Sequence, residues 1–549
     1  MNAADVRSLP AQALPGLAGR VRDQILETVS RTGGHLSSSL GAVELVIALL
    51  RAFDPLRDRI LWDVGHQAYA WKILTDRGDD FGSLRRIDGI SGFPNPDESS
   101  YDAFVAGHAG ASLAVARGMA AARDLRRGSE HVVAVIGDAA LANGVALEAL
   151  EGYRGGRRLI LVLNDNGSGV AQLDSEALLK SFGFSVLPRL DGHDIQAMEG
   201  AFARAKEIDG PVAIPVRTVK GRGFAPAEAN PEAWHGVGPF SLSSPESRGH
   251  GSTRGWSDAF GEVLTDLARR DSRICALTAA MCEGTGLSGF AREFPDRFFD
   301  VGICEENLVA FAAGLAKEGM RPVVAIYSTF LQRAVDQVMH DVCLLRLPVV
   351  FAIDRAGCVG HDGRTHHGMF DIPMLRGLPG LTLAQPSSEE ELRGLLTLAL
   401  ESNAPWAIRY PRGRVVVDGE EARKLTSGVA RQLFGPSAKI QIWALGDQVA
   451  KARRVAEILE SKGRPVGVVD ARFVKPFDAR LLERQRASGA VVVSLENGGV
   501  AGGFGEALGA DLRLGWPDDF IDHGAVEDLE RRHGLDAPSL ASRIEEFVK

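Results

Sequence analysis

The chain has 549 residues, 45% hydrophobic and 24% charged, with a formal net charge of −9 and a pI near 5.9. That length exceeds what one hydrophobic core usually serves, so several domains are expected. The acidic balance argues against a nucleic-acid or anionic-membrane partner, which needs a basic face, while small anions can still be held by local arginines. The opening MNAADVRSLPAQALPGLAGR has no apolar stretch behind a basic flank, and no apolar run approaches bilayer length, so a cytoplasmic protein is expected. Cys275, Cys282, Cys304, Cys343 and Cys358 all fall in the middle third without CxxC spacing. That pattern suits reduced core thiols rather than a disulfide framework or a zinc site.

Near the start, GGHLSSS, WDVGHQAY and GHAGAS set His35, His66 and His108 in glycine-containing loops, where a functional and a structural histidine are both open readings. The run HVVAVIGD then predicts a strand, ANGVALEALEGY an amphipathic helix, and RRLILVLNDN a second strand. Short β-branched runs alternate with helical patterns in this way along the whole chain, which predicts an α/β protein of mostly parallel sheets flanked by helices. KGRGFAPAEANPEAWH, which carries Lys220 and His235, is broken by Gly and Pro. SLSSPESRGHGST, residues 241–253, reads as a linker, with a fresh helix beginning near Trp256. FFDVGI predicts a strand and LVAFAAGLA a helix, with Glu305 and Glu306 between them. A weaker break spans 411–437, before the strand KIQIWALG. Three domains follow: 1–240, 254–420 and 421–549.

The two strand ends carry Gly137-Asp138 and Asn164-Asp165-Asn166. In a parallel sheet both ends emerge on the same edge, where ligands bind, so Asp138 and Asn166 can converge. Carboxylate and amide oxygens suit Mg²⁺, although Asp and Asn are also ordinary turn residues. Glu305 poses the complementary question. A carboxylate set among apolar runs needs a partner or a raised pKa, whereas Glu306 reads as a helix-start carboxylate favoured by the dipole.

The order G-D, helix, N-x-N resembles the thiamine diphosphate signature. There the Asp and second Asn hold Mg²⁺, which grips the cofactor's diphosphate, and a backbone carbonyl, here that of Ser168, completes the site. The stretches YSTFLQRAVDQVMHDV (327–342), FAIDRAGCVGHDGRTHHGMFD (351–371) and RYPRG (409–413) narrow the resemblance to the 1-deoxy-D-xylulose-5-phosphate synthase family. It implies a transketolase-like fold of a diphosphate domain, a pyrimidine domain and a C-terminal domain, usually as a homodimer, with the site between domains of one subunit. It also implies a transferase of isoprenoid and thiamine biosynthesis, dependent on thiamine diphosphate and Mg²⁺, that decarboxylates pyruvate and passes the two-carbon unit to glyceraldehyde 3-phosphate.

Carried over by residue, the resemblance implies that Glu305 bonds the aminopyrimidine ring, and burial against it should raise the Glu305 pKa. His35, His66 and His108 would line the cofactor and substrate pocket, and Gly137, Asp138, Ala139, Asn166 and Lys220 would border the diphosphate. Phe330 would stack on the aminopyrimidine. Ser38, Tyr327, Arg355 and Arg412 match positions that hold the acceptor's phosphate, a task that suits planar guanidinium groups. Asp362 and His366 are implied in hydroxyl binding and proton transfer, and His235 in assisting that transfer. A metal held by His361, His366 and His367 is a competing idea that the family does not offer.

The chain also departs from the family. Gly-Asp-Gly has become Gly137-Asp138-Ala139, which adds a methyl group to a tight turn. Glu-Gln-His has become Glu305-Glu306-Asn307, and a long insertion after Asn166 is shortened. These changes leave open a different aldehyde acceptor, or a cofactor-binding paralogue that serves as a partner subunit without turnover.

Overall fold

The computed structural model describes residues 2–152, 157–167, 174–244, 254–417 and 425–549. The candidate metal ligand Ser168, most of the 241–253 linker and the 420/421 boundary lie outside them. The chain forms two compact units, Met1–Gly251 with His361–Thr365, and Ser252–Gly360 with His366–Lys549.

Unit 1 is built on a parallel sheet of β1 (Arg59–Trp62), β2 (Val132–Gly137), β3 (Leu159–Asp165), β4 (Ser185–Val186), β5 (Leu190–Asp191) and β6 (Pro211–Arg217). Its spatial order is β1-β2-β3-β6-β4, with β5 also pairing β6. The sequences VVAVIG and LILVLND are buried along nearly their whole length, as strands covered by helices on both faces must be. Gly137 pairs Asn164 in register, so Asp138 and Asn166 leave the sheet at the same edge. Helices Leu14–Thr32 and Val43–Ala52 turn apolar faces into this core. A short antiparallel pair, Gly34–His35 with Gly236–Val237, ties the His35 loop to the His235 segment. Trp234 anchors that segment among Phe224 and Phe240, with ring centroids at 5.1 and 4.9 Å.

Unit 2 holds two sheets. The first contains β7 (Ile274–Thr278), β8 (Phe298–Asp300), β9 (Arg321–Tyr327), β10 (Val350–Asp354), β11 (Thr382–Ala384) and β12 (Trp406–Arg409). The second contains β13 (Arg431–Phe434), β14 (Ile440–Ala444), β15 (Gly467–Asp470), β17 (Val491–Gly499) and β18 (Leu512–Trp516); between them in sequence comes β16 (Phe473–Lys475). The orders are β8-β7-β9-β10-β12-β11-β16 and β13-β15-β14-β17-β18. The strand β16 thus leaves the second sheet's chain segment and pairs antiparallel with β11 of the first. The helix expected near Trp256 runs Trp256–Ala268, and that after Glu305 runs Glu305–Lys317.

One local expectation changes. The composition of 411–437 predicts a break, yet β13 lies inside it, a half-buried antiparallel edge strand. Its sequence RQLF has no two-residue alternation, because an edge strand gains its order from one neighbour's backbone rather than from a buried face.

Candidate active site

In unit 1 the loops of His35 and His66 and the segment of His235 bring their histidines together, while His108 meets the Thr365 carbonyl instead. Ring centroids of His35 and His66 lie 6.1 Å apart, those of His35 and His235 5.8 Å, and those of His66 and His235 5.0 Å. Phe93 packs on His35 at 5.2 Å. Desolvation lowers His66 well below the usual imidazole range, with His235, His35 and Lys220 adding repulsion. Desolvation and Lys220 likewise push His235 down to about 4. His66 and His235 are therefore held as neutral rings at neutral pH, able to take up or release a proton without charge repulsion between them. Ser38 Oγ hydrogen-bonds His235 Nδ1 at 3.3 Å, so this residue joins the histidine group.

Lys220 is also depressed by burial, against the pull of Asp138 and Glu232, which sets its ammonium in the field of the Asp138 carboxylate. Asn166 Oδ1 is buried and has no hydrogen-bond partner among the described residues. An oxygen desolvated in this way costs free energy unless something is brought to it. With the Asp138 carboxylate on the same sheet edge and Lys220 alongside, these donors fit a hard cation and a diphosphate. Ala139, the departure from Gly, lies in the helical turn Asp138–Leu141, where alanine is favoured, so its methyl group does not strain the turn.

The segment His361–Thr365 belongs to unit 1 and is held there at several points. Arg85 Nη2 pairs Asp362 Oδ1 at 2.8 Å, His361 Nδ1 donates to the Arg85 carbonyl at 2.9 Å, and His108 Nε2 donates to the Thr365 carbonyl at 2.9 Å. Arg85 has a left-handed φ of 63°, a conformation that a non-glycine residue keeps only when its surroundings demand it.

In unit 2, Glu305 opens its helix and is only 4% exposed. Desolvation raises its pKa, opposed by Arg333, whose Nη1 lies 3.7 Å from Glu305 Oε2. Glu306 pushes it further up, while Asn307 faces solvent. The change from Gln-His to Glu-Asn thus acts on Glu305 through the charge at 306. Tyr327 stacks on Phe330 at 5.5 Å and 16°, the Arg355 guanidinium lies 4.0 Å over the Tyr327 ring, and Phe330 meets His366 edge-on at 5.7 Å. These four residues form one continuous column. Arg412 Nη1 donates to the Val359 carbonyl at 3.4 Å.

The histidine-metal idea fails on chemistry. His367 Nδ1 accepts from the Val359 N–H at 3.1 Å and its Nε2 donates to the Asp522 carbonyl at 3.0 Å, which leaves the ring no lone pair for a metal.

Sequence reasoning missed Arg333 and Arg85. Arg333 stands three residues after Phe330, so its helical spacing in YSTFLQR was an available signal. Arg85 had none, because its partner comes from a segment far along the chain.

Comparison with known proteins finds family matches along the chain. Residues 1–173 match the family 1-deoxy-D-xylulose-5-phosphate synthase, 103–271 the transketolase thiamine diphosphate binding domain, 252–416 the transketolase pyrimidine binding domain and 432–540 the transketolase C-terminal domain. The fold is also that of transketolase from Campylobacter jejuni, at a TM-score of 0.50 and 19% identity over 98% of this chain and 100% of that one. The 1-deoxy-D-xylulose-5-phosphate synthase 1 of Geobacter sulfurreducens is 44% identical over 99% of this chain and 96% of its own length. The synthase of Aquifex aeolicus is 43% identical over 99% and 97%. The Geobacter alignment spans 615 positions against 549 residues here, so at least 66 positions of the alignment have no residue in this chain. Identity of this extent over essentially the full length shows that the chain belongs to the 1-deoxy-D-xylulose-5-phosphate synthase family.

Proposed function

We propose that this protein condenses pyruvate with glyceraldehyde 3-phosphate, releasing CO₂ and giving 1-deoxy-D-xylulose 5-phosphate. The observation that carries this reading is its 44% identity to a curated synthase over nearly the whole of both chains. Bound thiamine diphosphate supplies an acidic C–H and an electron sink for the carbanion left by decarboxylation. Asp138 and Asn166 would hold Mg²⁺, with Ser168 the third candidate, and Gly137, Ala139 and Lys220 would border the diphosphate. Glu305 would bond the aminopyrimidine ring nitrogen, for which a buried carboxyl of raised pKa, able to keep or share a proton, is suited. Phe330 has one face committed to Tyr327, and the other is assigned to the aminopyrimidine.

His35, His66, His108 and His235 are assigned to the pocket, where imidazoles orient a carbonyl and move protons. Asp362 and His366 are assigned to the acceptor hydroxyl and its proton. Arg355, Arg412 and Tyr327, with Ser38, are assigned to the phosphate of the acceptor. A cytoplasmic homodimer completes the reading.

The test is to incubate purified protein with thiamine diphosphate, Mg²⁺, pyruvate and a panel of aldehydes, and to identify products by NMR. Glyceraldehyde 3-phosphate should give 1-deoxy-D-xylulose 5-phosphate with stoichiometric CO₂. Ligation to another aldehyde but not to this one, or no CO₂ under any condition, would overturn the reading.

A further inference from the structure

The carboxyl edge of the first unit 2 sheet puts a buried acid among the residues assigned to phosphate. Tyr327 ends β9 directly beside Asp354, which ends β10. Tyr410, just past β12, donates its N–H to the Ile353 carbonyl and accepts that of Ala356, both at 3.0 Å. Asp354 is fully buried. One of its carboxylate oxygens accepts from Ser257 Oγ at 2.6 Å and the other from the Arg355 N–H at 2.6 Å.

That second bond matters because Arg355 has a φ of 56°, a left-handed conformation costly for a side chain of this size. The Asp354 carboxylate holds the peptide there, and the turn sends the guanidinium over the Tyr327 ring. The groups facing Asp354 are Ser257 from the helix Trp256–Ala268, Arg355 on its own strand end, Tyr327 on β9, and Tyr410 and Arg412 past β12. Tyr410 Oη is buried without a hydrogen-bond partner among the described residues, so it gives the carboxylate no hydrogen bond beyond those from Ser257 and Arg355. Burial raises Asp354 to about 6, with Arg355, Ser257 and Arg412 opposing.

We propose that Asp354 is a positioning residue of the phosphate clamp, setting the turn that aims Arg355 and supplying the buried counter-charge that limits how tightly the arginines hold an anion. The inference rests on the assignment of Arg355 and Arg412 to a phosphorylated acceptor. With Asp354 ionised the three groups sum to one positive charge, and with it neutral they sum to two, so anion affinity falls as pH rises through its titration.

Sulfate is the probe, because it stays a dianion throughout the window while a phosphate monoester does not. Binding is measured by calorimetry on the full-length, cofactor-free protein across about pH 5 to 8, which brackets the raised Asp354 value of about 6 and lies above the ordinary aspartate range. Wild type should bind sulfate roughly ten-fold more weakly at the alkaline end, the size expected of one nearby buried charge. Asp354→Asn should bind as tightly as acidic wild type and show no such dependence. Ser257→Ala removes a hydrogen bond from the ionised form and should move the transition to higher pH, a result available even if the Asn variant does not fold. Arg355→Ala and Arg412→Ala should each abolish the binding. Sulfate binding that is absent from wild type, or unchanged in both arginine variants, would overturn the phosphate assignment itself. Binding that needs the arginines but keeps the wild-type pH profile in Asp354→Asn and Ser257→Ala would overturn the role of Asp354 alone.

Discussion

At the scale of single residues, the chemistry is set by where charge is left without water. Glu305 is a carboxyl whose burial outweighs the guanidinium 3.7 Å away, so it stays more protonated than an exposed glutamate. Glu305→Ala should abolish release of CO₂ from pyruvate while leaving thermal melting unchanged within a few degrees, and wild-type turnover in that variant would remove Glu305 from the mechanism. Arg333 works against burial by favouring the ionised form. Arg333→Met should therefore raise the Glu305 pKa further and move the acid limb of the pH–rate profile toward higher pH; an unmoved limb would show that Arg333 does not tune this carboxyl.

At the scale of elements, what joins the two sheets of unit 2 is polar as well as apolar. Arg409, at the end of β12 and wholly buried, pairs Asp371 at 2.8 Å and donates to the Asn497 carbonyl of β17 at 3.0 Å. The same Asn497 accepts from the Cys358 N–H and the Trp516 indole at 3.0 Å each, so one amide side chain ties a site loop to β18. Removing one member of such a pair leaves the other charge buried and unpaired. Arg409→Met should cost about 3–5 kcal/mol in denaturant unfolding, and Arg409→Met with Asp371→Leu should recover much of it. Additive losses in the double variant would mean that the two residues act independently.

For the whole molecule, the pH dependence of stability follows from acids shifted in opposite directions. Glu496 accepts two backbone N–H groups at 2.8 Å, yet burial still pushes it up to about 7. The folded state then holds a proton that the unfolded chain has released, so this group's contribution is lost as pH rises from about 4.5 to 7, by about 3 kcal/mol. Glu496→Gln should flatten that part of a melting-temperature profile. Glu44 has the opposite sign. Despite burial, His193 at 3.0 Å and Arg22 at 2.5 Å hold it down to about 2, so its contribution is present above the ordinary carboxyl range and is lost as pH falls through the folded value. Glu44→Gln should reduce stability at neutral pH and leave a shallower acid limb. Among the described residues no helix is long and apolar enough to cross a membrane.

The alternation of buried strands with amphipathic helices was legible in the sequence because both are local periodicities, and Asp138 and Asn166 could be brought to one edge because parallel strands end on the same side. Glu305 was legible as a charge stranded between apolar runs. The tertiary structure alone decided what acts on these residues: Arg333 on Glu305, Arg85 on Asp362, and Asp354 beneath Arg355. It also decided that β16 would cross to the first sheet and that His367 would be a satisfied structural ring. Each of these depends on electrostatics or hydrogen bonding between segments far apart in the chain, and no local pattern encodes such a meeting until the sheets have formed.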